Sequence, residues 1–307
     1  MLSVTILGTS SAIPVAGRNP SAQVLNHDER LVLLDCGEGT LVQAQRLELR
    51  LSRLDAVFIS HLHGDHIFGL PGLLTTLSIL GRSRTLVLVG PVGLAALLRA
   101  IFGASRSELA YPLDLLEVPP GHPPDTPLTT VAGLTVYTHA LDHRIACWGY
   151  KFCETPRQRP LLNEHPDLVG VKPQYFGLLK LGNDITLPDG RRVVANEVLG
   201  PPPPQHTYAY CTDTRYLPQL APWLAGVDVL YHEATFLHAL KRRAEHTRHT
   251  TALEAAQLAQ AAGVGTLLLG HYSARYTDLT PLLAEAQTVF ERTLLAREGL
   301  KVPVPAP

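Results

Sequence analysis

The sequence predicts an α/β protein. Short apolar runs such as Leu54–Ile59, which is β-branched and aromatic, Leu86–Val89 and Thr266–Leu269 have the length of buried strands. Between them, Leu94–Ile101 reads as a helix, and Thr251-Ala252-Leu253-Glu254 is a capping box that opens another, running through Ala262. The chain has 307 residues, 46% hydrophobic and 17% charged, which is enough apolar material for one large core or two ordinary ones.

From the N-terminus, residues 3–7 alternate as a first strand and end in the turn cluster Gly8-Thr9-Ser10-Ser11. A loop follows from Ile13 to Asn19. Ala22–Leu25 and Leu31–Leu34 then pair as a hairpin across the polar turn Asn26–Arg30. Asp35-Cys36-Gly37-Glu38-Gly39-Thr40 is a turn that opens a helix at Leu41–Leu49. Ile67–Leu80 is too apolar for a solvent-facing helix. Further strands are predicted at Leu113–Val118 and Leu134–His139. Residues 153–204 break the pattern: hydrophobic periodicity lapses, prolines accumulate, and the segment closes on Pro201-Pro202-Pro203-Pro204. It reads as an insertion rather than a layer of the main fold. The regular pattern returns at Thr207–Cys211 and Asp228–Tyr231. Thr280 and Pro281 cap and start a last helix, and the tail Val302-Pro303-Val304-Pro305 is expected to be loose.

The chemistry centres on Ser60-His61-Leu62-His63-Gly64-Asp65-His66, just past the strand Leu54–Ile59. In extended chain His61 and His63 point to one side. Gly64 allows a sharp reversal, which turns Asp65 and His66 toward a second point. Three imidazoles and a carboxylate in so short a stretch are metal ligands rather than packing residues, and they suit zinc first, then manganese or iron. Further on, His139 and His143 are both candidates for another ligand, and Asp213 and His271 stand at strand ends. His249 lies just before a helix N-terminus, where backbone donors attract phosphate. A basic stretch, Lys241-Arg242-Arg243, precedes it.

The net charge is −1, so bulk charge announces no nucleic-acid enzyme and any RNA contact must come from local patches. Cys36, Cys147, Cys153 and Cys211 are scattered, as in a reducing cytoplasm. The first residues lack a basic leader pattern, and no run has the roughly 18–20 apolar residues of a membrane helix. The chain reads as cytoplasmic, with no membrane partner.

His-x-His-x-Asp-His after a strand resembles the metallo-β-lactamase superfamily, whose fold is a four-layer αββα sandwich. Within it, His232-Glu233-Ala234-Thr235, His249-Thr250-Thr251 and the insertion are similar to the ribonuclease Z family. That resemblance implies a zinc-dependent endoribonuclease that removes the 3′ trailer from precursor tRNA and leaves a 3′-hydroxyl on the tRNA. Two metals per subunit, zinc with manganese as an alternative, would activate water for hydroxide attack on the scissile phosphate. It assigns His61, His63 and His143 to one metal and Asp65, His66 and His271 to the other, with Asp213 bridging. His143 is selected over His139 because the family has a His shortly before a Gly-Tyr pair, here Gly149-Tyr150. The resemblance further implies that Asp35 accepts a hydrogen bond from a ligand histidine. Asp65 would take a proton, and His249 would protonate the leaving oxygen with Glu233 holding its ring. Arg18 and Arg275 would lie near the phosphate. Residues 153–204 would be a protruding, flexible arm that grips tRNA, offering Lys172, Lys180, Arg191 and Arg192. Its tip, Lys172–Lys180, departs from the family's Gly-Pro pair followed by spaced basic residues, and Thr212 stands where the family commonly has Gly. A homodimer interface is implied around 67–80. Two other readings share the fold: a hydrolase of a β-lactam, thioester or small phosphodiester, and a metal-free binding subunit.

Overall fold

The computed structural model describes every residue except Ala16, Ala306 and Pro307. The chain divides into two compact units, Met1–Cys153 with His206–Pro307, and Glu154–Gln205.

In the first unit, the described strands make two seven-stranded sheets. The first contains β1 (Leu2–Gly8), β2 (Ala22–His27), β3 (Arg30–Leu34), β4 (Leu54–Phe58), β5 (Leu86–Pro91) and β6 (Leu113–Val118) in that spatial order. The second contains β7 (Thr129–Val131), β8 (Leu134–Leu141) and β9 (Cys147–Glu154). Two short strands, β10 (Ile185–Thr186) and β11 (Arg192–Val193), belong to the other unit. The second sheet continues with β12 (Thr207–Cys211), β13 (Val229–Glu233), β14 (Thr266–Gly270) and β15 (Thr293–Leu295), in the order β15-β14-β13-β12-β9-β8-β7. The last strand, β16 (Lys301–Val304), pairs antiparallel with β1 and completes the first sheet. The tail expected to be loose is therefore an edge strand. Pro303 is tolerated there because an edge strand can forgo a ladder N–H.

The apolar residues sort into layers as the alternation of strands requires. Val4, Ile6, Val32 and Phe58 of one sheet meet Tyr150, Phe152, Tyr210 and Val229 of the other in a core between the sheets. On the outer face of the first sheet, α1 (Thr40–Arg46), α2 (Gly64–Ile67), α3 (Leu70–Ile79) and α4 (Leu94–Ser105) bury Ala44, Ile67, Leu70, Leu74, Leu94 and Leu98. In the second unit lie α5 (Phe176–Lys180) and α6 (Ala195–Val198). After α7 (Lys241–Thr247), α8 (Ala252–Ala262) and α9 (Thr280–Gln287) cover the outer face of the second sheet through Ala255, Leu258, Ala259 and Leu282. This is the αββα sandwich. Thr251 and Glu254 form the capping box at α8. At α9 the cap differs from expectation: Leu279 is the N-cap, Thr280 is already helical, and the Asp278 carboxylate accepts the Thr280 N–H at 2.9 Å.

Glu154–Gln205 is built from short turns, two short helices and the β10–β11 pair around Leu168, Val171, Leu179, Ile185, Val193 and Val198. Lys172 and Lys180 are exposed within it. Arg191 donates to the Val169 carbonyl at 2.6 Å, and Arg192 pairs with Asp184 at 2.8 Å. Of the 67–80 segment, Leu70, Leu73, Leu74 and Leu77 are buried in their own subunit, while Phe68, Ile79 and Leu80 are exposed.

Candidate metal centre

Each sheet brings one part of a histidine and carboxylate cluster to the same end of the sandwich. From the first come His61 and His63 after β4, and Asp65 and His66 at the start of α2. From the second come His143 between β8 and β9, Asp213 after β12, and His271 after β14. His61, His66 and His271 are fully buried, and Asp213 and His143 nearly so.

Backbone detail makes this convergence possible. The reversal after His63 uses no left-handed backbone: His63 is extended and Gly64 enters the helix directly. A Cβ on Gly64 would instead lie 2.2 Å from the Phe68 ring. Left-handed backbone is used at Asp35 (φ 55°) and His271 (φ 56°), which turns both side chains inward at strand ends.

The donor atoms of the seven expected ligands fall into two groups that share Asp213. In the first, His61 Nε2 is 3.0 Å from His63 Nδ1, which is 3.2 Å from His143 Nε2. Asp213 Oδ2 is 3.7 Å from both His61 and His143. In the second, His66 Nε2 is 3.3 Å from His271 Nε2, and Asp65 Oδ2 lies 3.4 and 3.6 Å from them. Asp213 Oδ1 closes that group at 3.3 Å from His66 and 3.0 Å from His271. The two carboxylate oxygens of Asp213 thus serve different groups. A tetrahedral cation with bonds of about 2.0–2.1 Å sets its ligand atoms about 3.3–3.4 Å apart, and the distances within the groups, 3.0–3.7 Å, bracket that spacing.

The outer hydrogen bonds decide which ring nitrogens face inward. Ser60 Oγ donates to Asp35 Oδ2 (2.8 Å), so it accepts from His61 Nδ1 (3.0 Å). His66 Nδ1 donates to Asp35 Oδ2 at 2.6 Å, and His143 Nδ1 donates to the Arg248 carbonyl at 3.1 Å. Thr235 Oγ1 donates to Glu233 Oε2 (2.6 Å) and accepts from His271 Nδ1 (3.0 Å). With each Nδ1 proton committed outward, the four Nε2 lone pairs converge on one another, an arrangement that calls for cations between them. The charges agree. Burial pushes the Asp213 carboxyl up, but His271, His66 and His61 hold it well below the usual range. Burial would lower His66, yet Asp213, Asp65 and Asp35 raise it well above an ordinary imidazole. The carboxylates stabilise positive charge at this point, and His61, His63 and His143 are lowered, chiefly by burial, toward neutral ligands. The donor set therefore fits divalent metal binding.

Beside this cluster, His249 Nδ1 donates to Glu233 Oε1 at 3.0 Å and lies 4.0 Å from Asp213 Oδ2. Asp213, Glu233, His249 and His271 could also be grouped as ligands. Glu233 is already committed, however: Oε1 also accepts the Thr214 N–H (2.7 Å) and Oε2 accepts Thr235. Burial lowers His249, but the Glu233 carboxylate overcomes this and carries it up to about 9. The pair is built to hold a proton.

The other expected residues divide. His139 stands apart from the cluster against Trp223, with ring centroids 5.5 Å apart. Arg18 donates to the Tyr276 carbonyl (2.7 Å) and lines a polar cavity of about 410 Å³ with Arg297 and Glu298. Arg275 lies over the Phe236 ring, 5.0 Å from its centroid, and Phe236 packs edge-on to His249. Lys172 and Lys180 belong to the Glu154–Gln205 unit. Sequence reasoning missed Ser60, Thr235 and Tyr210, and the Ala12 N–H that donates to Asp65 Oδ2 (2.7 Å). It also missed Thr212, whose hydroxyl donates to Asp213 Oδ1 at 2.9 Å where the family commonly has Gly. The one signal for Thr235 was its place in the His-Glu-Ala-Thr run.

The fold and this cluster define a metallo-β-lactamase-type metal site. Residues 197–272 match the β-lactamase superfamily domain, and residues 2–99 match the family described as anti-Pycsar protein Apyc1. Among solved structures, the metallo-β-lactamase fold protein YhfI from Bacillus subtilis superposes with a TM-score of 0.69 at 22% identity, covering 98% of both chains. The short form of human tRNase Z superposes with a TM-score of 0.68 at 24% identity over 99% of both. In sequence, the chain is 39% identical to a ribonuclease Z of Parabacteroides distasonis and 40% identical to one of Porphyromonas gingivalis, each over 98% of both chains. It belongs to the ribonuclease Z family.

Proposed function

We propose that this protein is a metal-dependent endoribonuclease that cuts precursor tRNA at its 3′ side, releasing the trailer and leaving a 3′-hydroxyl on the tRNA. The observation that carries the reading is the His249–Glu233 pair set against Asp213 and His271, a proton donor beside a site for two cations. Zinc fits the imidazole-rich donor set best. The bound cations supply an activated water and neutralise charge on the phosphate.

The protein groups do the rest. Asp213, with one oxygen beside each donor group, would hold both cations, and Asp65 is held by the Ala12 amide where it can accept the proton of the attacking water. His249 protonates the departing 3′ oxygen, and Glu233 fixes its ring by binding Nδ1. Arg275, poised over Phe236, is the better placed of the two expected arginines to meet the phosphate; Arg18 is engaged with Tyr276. Glu154–Gln205 supplies Lys172 and Lys180 for the body of the tRNA. Exposed Phe68, Ile79 and Leu80 support a homodimer face on the 67–80 segment. The four cysteines are free thiols, and no described helix is long and apolar enough to cross a membrane, which suits a cytoplasmic enzyme.

The test is to incubate the protein with a precursor tRNA and map the 3′ ends of the product. A single cut after the acceptor stem is expected. Hydrolysis of small esters with none of precursor tRNA would overturn the reading.

A further inference from the structure

β12 points two buried tyrosines toward the facing sheet. Tyr208 donates its phenol to Gln23 Oε1 on β2, and Tyr210 donates to Asp35 Oδ2 at 2.7 Å. The partners differ in kind. Gln23 is a neutral amide with no described hydrogen bond to a ligand histidine. Asp35 is the carboxylate behind the metal cluster. Its Oδ1 accepts the Ser60 N–H (2.7 Å), and its Oδ2 accepts Ser60 Oγ, His66 Nδ1 and Tyr210.

Asp35 thereby orients one ligand in each group, His66 directly and His61 through Ser60. Of the donors described on Asp35, the phenol is the one that comes from the second sheet, three residues before Asp213. The first sheet supplies His61, His63, Asp65 and His66, and the second supplies His143, Asp213 and His271. The Tyr210–Asp35 bond is thus a link between the two halves of the centre, made in the buried layer between the sheets.

We propose that Tyr210 is a positioning residue for the metal centre: its phenol holds Asp35, and through it His66 and His61, in register with Asp213, so that losing the hydroxyl weakens the grip on both cations. This rests on the two-cation reading above. Ligand geometry depends on such outer partners, and losing one costs about 10–100-fold in metal affinity or activity.

The experiment compares wild type, Tyr210→Phe and Tyr208→Phe. Each variant removes one buried phenol hydroxyl from the same strand, so a purely structural effect should be alike in both. The measurements are zinc per chain, zinc affinity by competition with chelators of graded strength, and melting of the metal-free proteins. Tyr210→Phe is expected to fold, to bind zinc about 10–100-fold more weakly and to recover turnover of a nitrophenyl phosphodiester at saturating zinc. Tyr208→Phe should keep wild-type zinc affinity within about twofold, well short of that range. A Tyr210→Phe protein that fails to fold, or one whose zinc affinity matches that of Tyr208→Phe, overturns the proposal. If wild type itself holds no zinc, the two-cation reading fails and this proposal falls with it; if wild type holds zinc and Tyr210→Phe is indistinguishable, the positioning role alone fails.

Discussion

The two units use charge in opposite ways. In the sandwich, Asp35, Asp213 and Glu233 are buried, and their oxygens are taken up by named donors: the Ser60, His66 and Tyr210 set, the Thr212 hydroxyl, and the Thr214, Thr235 and His249 set. In Glu154–Gln205 the buried residues are mainly apolar, and apart from Glu154 at its start the charged ones are exposed or half-exposed: Arg192 pairs with Asp184, and Lys172 and Lys180 face solvent. A buried polar network is coupled, so removing one member leaves its partners unsatisfied at full cost. Exposed charges act nearly independently, each contributes little, and salt screens them. Single changes in the first unit should therefore be severe and specific; changes in the second should be mild, additive and salt-dependent.

The harshest test of that contrast is Asp213→Ala, which takes one oxygen from each donor group at once. The metal count, measured by elemental analysis, should fall below two per chain, and phosphodiester hydrolysis should drop beyond the roughly 10²–10⁴-fold range typical of losing a general acid. Two retained metals with normal turnover would show that Asp213 does not bridge. Next in size is His249→Ala. It should keep its metals and slow precursor tRNA cleavage by about 10²–10⁴-fold. A nitrophenyl phosphodiester has a leaving group that needs no protonation, so it should be spared much of that loss. Equal losses on both substrates would remove the acid role. A step smaller is Thr235→Val, which keeps the shape but deletes the hydroxyl joining Glu233 to His271. A loss of about 10–100-fold in activity or metal affinity is expected, and wild-type behaviour in both would show that the ring of His271 is held by other means.

The same contrast explains what could be read in the sequence. The candidate metal-binding cluster was legible because His61, His63, Asp65 and His66 crowd one short stretch, and Asp213 and His271 stand at the ends of recognisable strands. Ser60, Tyr210 and Thr235 were not, because they are ordinary residue types and each joins near neighbours or a ligand to a group further along the chain; Tyr210 and Asp35 are separated by 175 positions. Most of the strands could be read from apolar runs but their order in the sheets could not, and β16 was hidden by prolines that only an edge strand accommodates. Glu154–Gln205 lacked periodicity because its core is assembled from turns and very short helices, which imprint no 2.0 or 3.6 repeat. Its compactness was invisible for that reason.

The mildest expected effect comes from the second unit, and it can be tested without disturbing the first. Cys153 and Thr207 face each other in the antiparallel β9–β12 pair, so the chain leaves and re-enters the sandwich at neighbouring positions. Directly opposed residues in such a pair lie about 4.5–5.5 Å apart, a gap that a short Gly-Ser link closes. Replacing residues 155–205 in this way should spare hydrolysis of a nitrophenyl phosphodiester, since no described ligand group draws on the segment. The KM for precursor tRNA should rise, and its log–log salt dependence should flatten by about 0.7–0.9 for each phosphate contact removed. A Lys172→Gln, Lys180→Gln double variant tests the same idea with the fold left whole: its slope should fall by about 1.4–1.8 if both lysines meet phosphate. A shortened, folded protein with unchanged KM and salt slope would show that Glu154–Gln205 takes no part in holding the RNA. Loss of nitrophenyl phosphodiester hydrolysis in that same protein would break the comparison from the other side, by showing that the chemistry depends on a segment that contributes no ligand.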